Sequence, residues 1–217
     1  MPKVKMPRKS TSIDMTAMCD VGFLLLTFFM LATKFKPDEP VTVITPASVS
    51  EITMPDNDVM LLTVDKDGRL FFSIDNPKMR KELIGKISEQ KGLNLNEAQK
   101  VAFANGSSVG VPFSQLPAYL NLSSADAAKL KAPGIPTDTT VTSEKNELAL
   151  WIKEARYTNP KLRICIKADG ATQYPVIKDV IATLEGWKIH KFNLITDLKA
   201  VPPGTALFDQ RKAGTVK

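Results

Sequence analysis

The longest apolar run of the chain lies near its N-terminus. Residues 15–35 read MTAMCDVGFLLLTFFMLATKF, and the stretch from Val21 to Thr33 carries no charge. At about 1.5 Å of rise per residue, a helix over this segment covers roughly 30 Å, which is the thickness of the hydrocarbon core of a bilayer. The pattern therefore predicts a single transmembrane helix over residues 15–35.

Polar side chains interrupt this run on one side only. Because successive helical residues are rotated by about 100°, Thr16, Asp20 and Thr27 lie within roughly 40° of one another. A carboxylate near the bilayer centre costs about 2.5 to 3.5 kcal/mol even on insertion scales, and a plain anchor gains nothing from it. One interpretation is that Asp20 accepts a proton in a water-accessible seam between helices. The other is that it joins two helices or lies near enough to the membrane surface to be hydrated.

Charged residues flank the predicted helix unevenly. This asymmetry predicts a cytoplasmic basic arm over residues 1–14 and a C-terminal domain on the opposite side of the membrane. A cleaved signal peptide is disfavoured, because no pair of small residues suited to cleavage follows Ala32. The net charge of +6 is no evidence for nucleic-acid binding. Four basic residues precede the first acid, Asp14: Lys3, Lys5, Arg8 and Lys9.

Proline and glycine divide the chain beyond the membrane segment. Residues 36–58 contain four prolines, which exclude a helix and predict an extended linker. Within it, residues 41–44 alternate like a short strand that could pair with an exposed sheet edge. Next, Val59–Val64 and Leu70–Ile74 flank a polar turn that contains Gly68, and this arrangement predicts a β-hairpin.

Periodic apolar positions predict further helices and strands. The last three elements follow the order strand, helix, strand, which implies a parallel right-handed crossover. The predicted fold class is a single N-terminal transmembrane helix plus a small α+β domain over residues 59–200, with a flexible tail at 201–217. The predicted elements are helices at 79–90, 144–158 and Tyr174–Gly186, and strands at 162–167 and 190–196.

The segment from about 92 to 143 has a weaker pattern and is predicted as an insert. Leu95 and the apolar residues after it indicate a helix capped by Asn94, and Ser123 could begin another. Several prolines and glycines separate these stretches. We expect short helices joined by loops on the surface of the domain.

The residue types of the chain argue against an enzyme or a cofactor-binding protein. The single histidine, His190, is expected at the surface beside a strand. Cys19 and Cys165 lie on different sides of the predicted membrane boundary, so they cannot form a disulfide within one chain. One histidine and two separated cysteines are too few for a transition-metal site. The pair Asp169-Gly170 is interpreted as a turn before the following helix.

The membrane segment and the outer elements resemble the ExbD/TolR proteins, which are biopolymer-transport subunits that couple ion flow to work at the outer membrane. The resemblance lies in residues 13–30, in residues 62–70, and in residues 167–196. The chain departs from the usual pattern in two places. It reads Asp-Met-Thr-Ala at 14–17 where the family usually has Asn-x-Thr-Pro, and residues 92–143 exceed the usual domain.

The resemblance implies a particular machine. Asp20 would carry protons in an inner-membrane complex energising TonB-dependent outer-membrane transport, and Thr16 and Thr27 would belong to its pore stripe. Two copies of the helix would lie within a ring of a multi-span ExbB/TolQ-like partner, while the periplasmic domain would act on a TonB-like protein. A TolR-like role remains open, as does that of a purely structural anchor whose periplasmic domain binds peptidoglycan or a partner protein. H⁺ and Na⁺ are both open as the transported ion.

Overall fold

The computed structural model describes residues 15–32, 41–49, 57–122, 126–127, 130–140, 142–143, 145–201, 203–205 and 208. The chain divides into two units, Met1–Pro37 and Asp38–Lys217, here called the N-terminal and C-terminal units. The N-terminal unit contains α1 (Met15–Ala32). The elements of the C-terminal unit are, in chain order, β1 (Ala47–Ser48), β2 (Val59–Val64), β3 (Leu70–Ile74), α2 (Pro77–Lys91), α3 (Glu97–Asn105), α4 (Leu116–Tyr119), α5 (Glu147–Thr158), β4 (Arg163–Ala168), α6 (Tyr174–Gly186), β5 (Phe192–Ile195) and β6 (Asp197–Leu198).

Helix α1 forms one continuous α-helix without a buried side chain. Its length of 18 residues corresponds to about 27 Å. Among the described residues it is the one helix long and apolar enough to span a membrane. The predicted membrane helix is confirmed over this range, while its last residues, 33–35, and the predicted basic arm, 1–14, lie outside the described residues.

A four-stranded sheet forms the centre of the C-terminal unit, with the strand order β3-β2-β4-β5. Strand β2 pairs antiparallel with β3 and parallel with β4, and β4 pairs parallel with β5. The predicted hairpin is confirmed at both strands. The predicted parallel pairing across α6 is confirmed as well, although β4 begins one residue later than expected and β5 spans only four residues.

Local chemistry closes the hairpin. The Asp65 carboxylate accepts hydrogen bonds from the backbone N–H groups of Asp67 at 3.0 Å and Arg69 at 2.8 Å. Gly68 takes the left-handed conformation, with φ of 77°, as the turn requires. Hydrogen bonds within five residues therefore favour the observed register of β2 and β3.

Helices α2, α5 and α6 contribute to the core. Helix α5 buries an apolar stripe, in which Leu148, Trp151, Ile152 and Ala155 are all fully buried. On α6, Val180 and Leu184 are buried, while Val176, Ile177 and Ile181 are partly buried.

The segment from 92 to 143 differs from its prediction in two respects. Helix α3 is capped by Asn96 rather than Asn94, and Asn96 forms a capping box with Gln99. The segment is also not confined to the surface, because Phe103 and Phe113 are buried and stack on Trp151 with ring centroids 5.6 and 5.3 Å apart. The helix start predicted at residue 123 lies outside the described residues.

A buried guanidinium ties this segment to α2. Arg80 donates hydrogen bonds to the carbonyl oxygens of Gly106 and Ser107, and it lies over the Phe103 ring at 5.2 Å. Burial lowers the pKa of Arg80 to about 10, which still leaves it charged at neutral pH. Two carbonyls after α3 thus receive their hydrogen bonds from a side chain on another helix.

The linker also contributes a strand, but not at the predicted position. Strand β1 covers Ala47–Ser48 and pairs parallel with β6. Residues 41–44, which were expected to form the strand, do not form one. Pro46 explains why β1 begins at Ala47. Proline lacks a donor N–H, while the Pro46 carbonyl oxygen accepts a hydrogen bond from Asp197 N–H at 3.0 Å.

Candidate functional site

Asp20 is the sixth residue of α1, and it lies about 7.5 Å of rise from the helix start. Its side chain is exposed, and it makes no hydrogen bond or ion pair with the residues that the structure describes. Helix α1 therefore does not supply the partner that a carboxylate needs in an apolar surrounding.

Thr27 satisfies its own hydroxyl. Its Oγ1 donates to the carbonyl oxygens of Phe23 and Leu24, each at 3.0 Å. A threonine bonded to the preceding helical turn can face lipid at little cost. The requirement for an outside partner therefore falls on Asp20 rather than on Thr27.

The continuous helix brings the three predicted site residues onto one stripe. Thr16 precedes Asp20 by four residues and Thr27 follows it by seven, so that all three repeat near the helical period. The other sides of the helix carry large apolar residues. Phe29 lies opposite the stripe and Phe28 lies on its flank, and their rings form an edge-to-face pair with centroids 5.7 Å apart. One side of α1 is thus suited to lipid, whereas the other presents a carboxylate.

In the C-terminal unit, the Asp169 carboxylate anchors the linker. Its Oδ2 accepts from Ile44 N–H at 3.0 Å, and its Oδ1 accepts from Ala171 N–H at 2.9 Å. Gly170 N–H donates in turn to the Ile44 carbonyl oxygen at 2.9 Å. These backbone hydrogen bonds lower the pKa of Asp169. The turn predicted at Asp169-Gly170 is confirmed, but its contact with the linker had no local signal in the sequence.

Two further candidate groups, His190 and Cys165, lie in the C-terminal unit. His190 is exposed, as predicted. Cys165 is buried and its pKa is raised by desolvation, so its thiol is poorly reactive. The described residues contain no cluster of three or more histidine, cysteine or acidic side chains able to hold a metal ion.

The described residues contain one helix long and apolar enough to span a membrane, and its carboxylate has no partner among them. A small α+β domain follows the linker, and this arrangement defines a membrane protein with an N-terminal spanning helix. The family model for "Biopolymer transport protein ExbD/TolR" matches residues 6–199. The chain therefore belongs to the ExbD/TolR family, whose members serve energy transduction in biopolymer transport. Comparisons with curated proteins and with solved structures give no match.

Proposed function

We propose that this protein is the proton-motive-force-coupled motor subunit of an inner-membrane complex of the ExbB-ExbD type, with Asp20 as the proton carrier. Its N-terminus lies in the cytoplasm and its C-terminal unit in the periplasm. There the C-terminal unit acts on a TonB-like protein to energise outer-membrane transport. The observation that carries the proposal is the exposed Asp20 carboxylate, which has no partner among the described residues of an otherwise apolar helix.

The energetics favour a protonation cycle at Asp20. An isolated carboxylate in hydrocarbon becomes protonated, whereas in a polar or hydrated contact it ionises. Alternation between two such surroundings makes Asp20 bind a proton on one side and release it on the other. A potential of 100 mV supplies about 2.3 kcal/mol per elementary charge, which is of the order needed to bias two such states.

The partner of Asp20 is a multi-span protein of the ExbB/TolQ type that surrounds two copies of α1. Irregular or charged groups are tolerated at membrane depth where protein or water encloses them. Two neighbouring carboxylates do not both ionise cheaply, so one Asp20 is protonated while the other is charged. The pair thus has two equivalent states, in which the proton is on one Asp20 or on the other, and ion flow converts one state into the other.

Replacement of the carboxylate tests the proposal. Asp20→Asn keeps the shape of the side chain but cannot exchange a proton near neutral pH. We expect the variant to insert and assemble with its partner, while proton flux into vesicles containing the complex falls to background. Flux is measured with a pH-sensitive dye after a potential is imposed.

The matched control is Phe29→Leu on the opposite side of α1. Because this change keeps Asp20 and leaves the lipid-facing side apolar, the variant should retain most of the flux. A purely structural anchor predicts that Asp20→Asn leaves transport intact. If cells carrying Asp20→Asn take up a substrate that needs energised outer-membrane transport as fast as wild-type cells do, the proton-carrier role is overturned.

A further inference from the structure

A cavity of about 350 Å³ opens on the C-terminal unit, between the end of α5 and the turn that follows α6. Buried Ile152 and Ile189 lie at its base, while Tyr157 and Trp187 form exposed aromatic walls. Its size is at the small end of ligand sites, which run from about 300 to 1,000 Å³. The cavity therefore suits a ligand about as large as one or two amino-acid residues, with an aromatic ring or a branched side chain against the apolar wall.

Three cations line the same cavity: Lys153, Arg156 and Lys188. Lys188 makes no ion pair with a described residue. Arg156 uses Nη1 for the carbonyl oxygens of Pro160 and Leu162, at 2.7 and 3.0 Å, and binds no described carboxylate. Of the three cations, Lys153 alone forms an ion pair with a described acid, its Nζ lying 3.9 Å from Glu154 Oε1. The cavity thus combines an apolar surface with an excess of positive charge.

The backbone at Lys188 gives a second, independent indication. Helix α6 ends in a Schellman motif, in which Ile189 N–H donates to the Leu184 carbonyl at 3.0 Å and Lys188 N–H to the Glu185 carbonyl at 2.8 Å. The motif places Lys188 in the left-handed region, with φ of 57°, where glycine is the favoured residue.

Helix α2 ends in the ordinary way, with Gly92 at φ of 63°. A lysine in place of glycine strains the backbone, and such strain is typical of positions whose side chain has a function. Here that side chain lines the cavity.

We propose that this cavity binds a small amphipathic carboxylate, in which the carboxylate meets Lys188 and Arg156 and the apolar group lies against Trp187 and Ile152. Guanidinium and ammonium groups form strong charge-assisted hydrogen bonds to carboxylates. A free acid of this kind and the C-terminal residue of a peptide share this chemistry. The site is separate from Asp20, so the inference does not rest on the proton-carrier role.

Binding is measured on the full chain in detergent micelles through tryptophan fluorescence, because Trp187 lines the cavity while Trp151 is fully buried. The probes are N-acetyl-L-phenylalanine and its neutral amide. We expect a saturable change with the acid, an affinity for the amide lower by about tenfold or more, and no change in Trp187→Phe. Acetyl-Gly-Gly-Phe with a free C-terminus distinguishes the two kinds of ligand. If this peptide binds, the ligand is a peptide C-terminus. If N-acetyl-L-phenylalanine binds and the peptide does not, the ligand is a free small molecule.

Lys188→Gly separates binding from folding. It should weaken binding of the acid by about tenfold while the denaturant midpoint stays unchanged or rises, because glycine relieves the strained position. Lys178→Gln, which removes an exposed lysine outside the cavity, should change neither quantity. Equal binding of acid and amide, wild-type affinity in Lys188→Gly, or a lower unfolding midpoint in that variant would each overturn the proposal.

Discussion

Two glycines of the C-terminal unit illustrate how position decides the effect of one methyl group. Gly85 lies inside α2, and a Cβ added there would meet nothing within 4 Å. Gly134 has φ of 92°, and its Cβ would lie 2.9 Å from Leu70 N. Gly85→Ala should raise the free energy of unfolding by about 0.5 to 1 kcal/mol, whereas Gly134→Ala should lower it by more than about 1 kcal/mol. Denaturant unfolding measures both, and shifts in the same direction would contradict the geometry.

Asp169 makes the docking of the linker dependent on pH. Its pKa is lowered from the ordinary value of 3.8 by the hydrogen bonds from Ala171 and Ile44. An acid with a lowered folded-state pKa stabilises the fold above its unfolded pKa, and the contribution disappears as pH falls through the folded value. The Ile44 amide should therefore lose protection from hydrogen exchange below about pH 3.8, after correction for the intrinsic rate. Asp169→Ala should show the same loss at neutral pH, with protection in β2 retained.

At the scale of elements, α3 tests whether the segment from 92 to 143 belongs to the core. Phe103 stacks on Trp151 and is 2% exposed, whereas Val101 on the same helix is 42% exposed. Phe103→Ala should lower the free energy of unfolding by about 3 to 5 kcal/mol. Val101→Ala should change it by no more than about 0.5 kcal/mol. Equal effects, measured by denaturant titration of the full chain, would mean that the segment is a surface addition.

Elements with local signals were predictable, and those that depend on distant partners were not. The hairpin was predicted at its observed bounds, because turn chemistry at Asp65 and Gly68 acts within a few residues. Helix α6 was likewise predicted from its apolar period. Strand β1 was missed because its partner, β6, lies far along the chain. The alternation of apolar and polar residues within the linker carries no information about so distant a partner.

The same division applies to the candidate sites. The stripe of Asp20, Thr16 and Thr27 follows from helical spacing alone, so the sequence was sufficient to propose it. The cavity had no comparable signal, because its lining comes from α5 and from the turn after α6, which are adjacent only in the folded domain. The left-handed backbone of Lys188 follows from the way α6 ends, and nothing in the residue type indicates it.

At the scale of the whole molecule, the proposed motor requires two copies of the chain. Leu24 and Leu31 flank the Asp20 stripe and are exposed on α1. A cysteine at either position, in a chain whose Cys19 and Cys165 are replaced, should cross-link to a second copy within the membrane. Cross-linking is measured by non-reducing electrophoresis of the assembled complex, with a cysteine at Phe29, on the opposite side, as the control. Monomers alone at positions 24 and 31 would contradict the paired mechanism.

The pairing of β2 with β4 also governs when the C-terminal unit can fold. Val59 lies opposite Arg163, so β2 meets its parallel neighbour β4 only after β3 and the four helices described between them, α2 to α5, have been synthesised. Contacts between residues so distant along the chain slow folding, because a large loop must close before it is stabilised. During synthesis the early hairpin therefore exposes an unpaired strand edge, a surface prone to aggregation. A cell that makes this protein has to protect that edge until β4 has emerged.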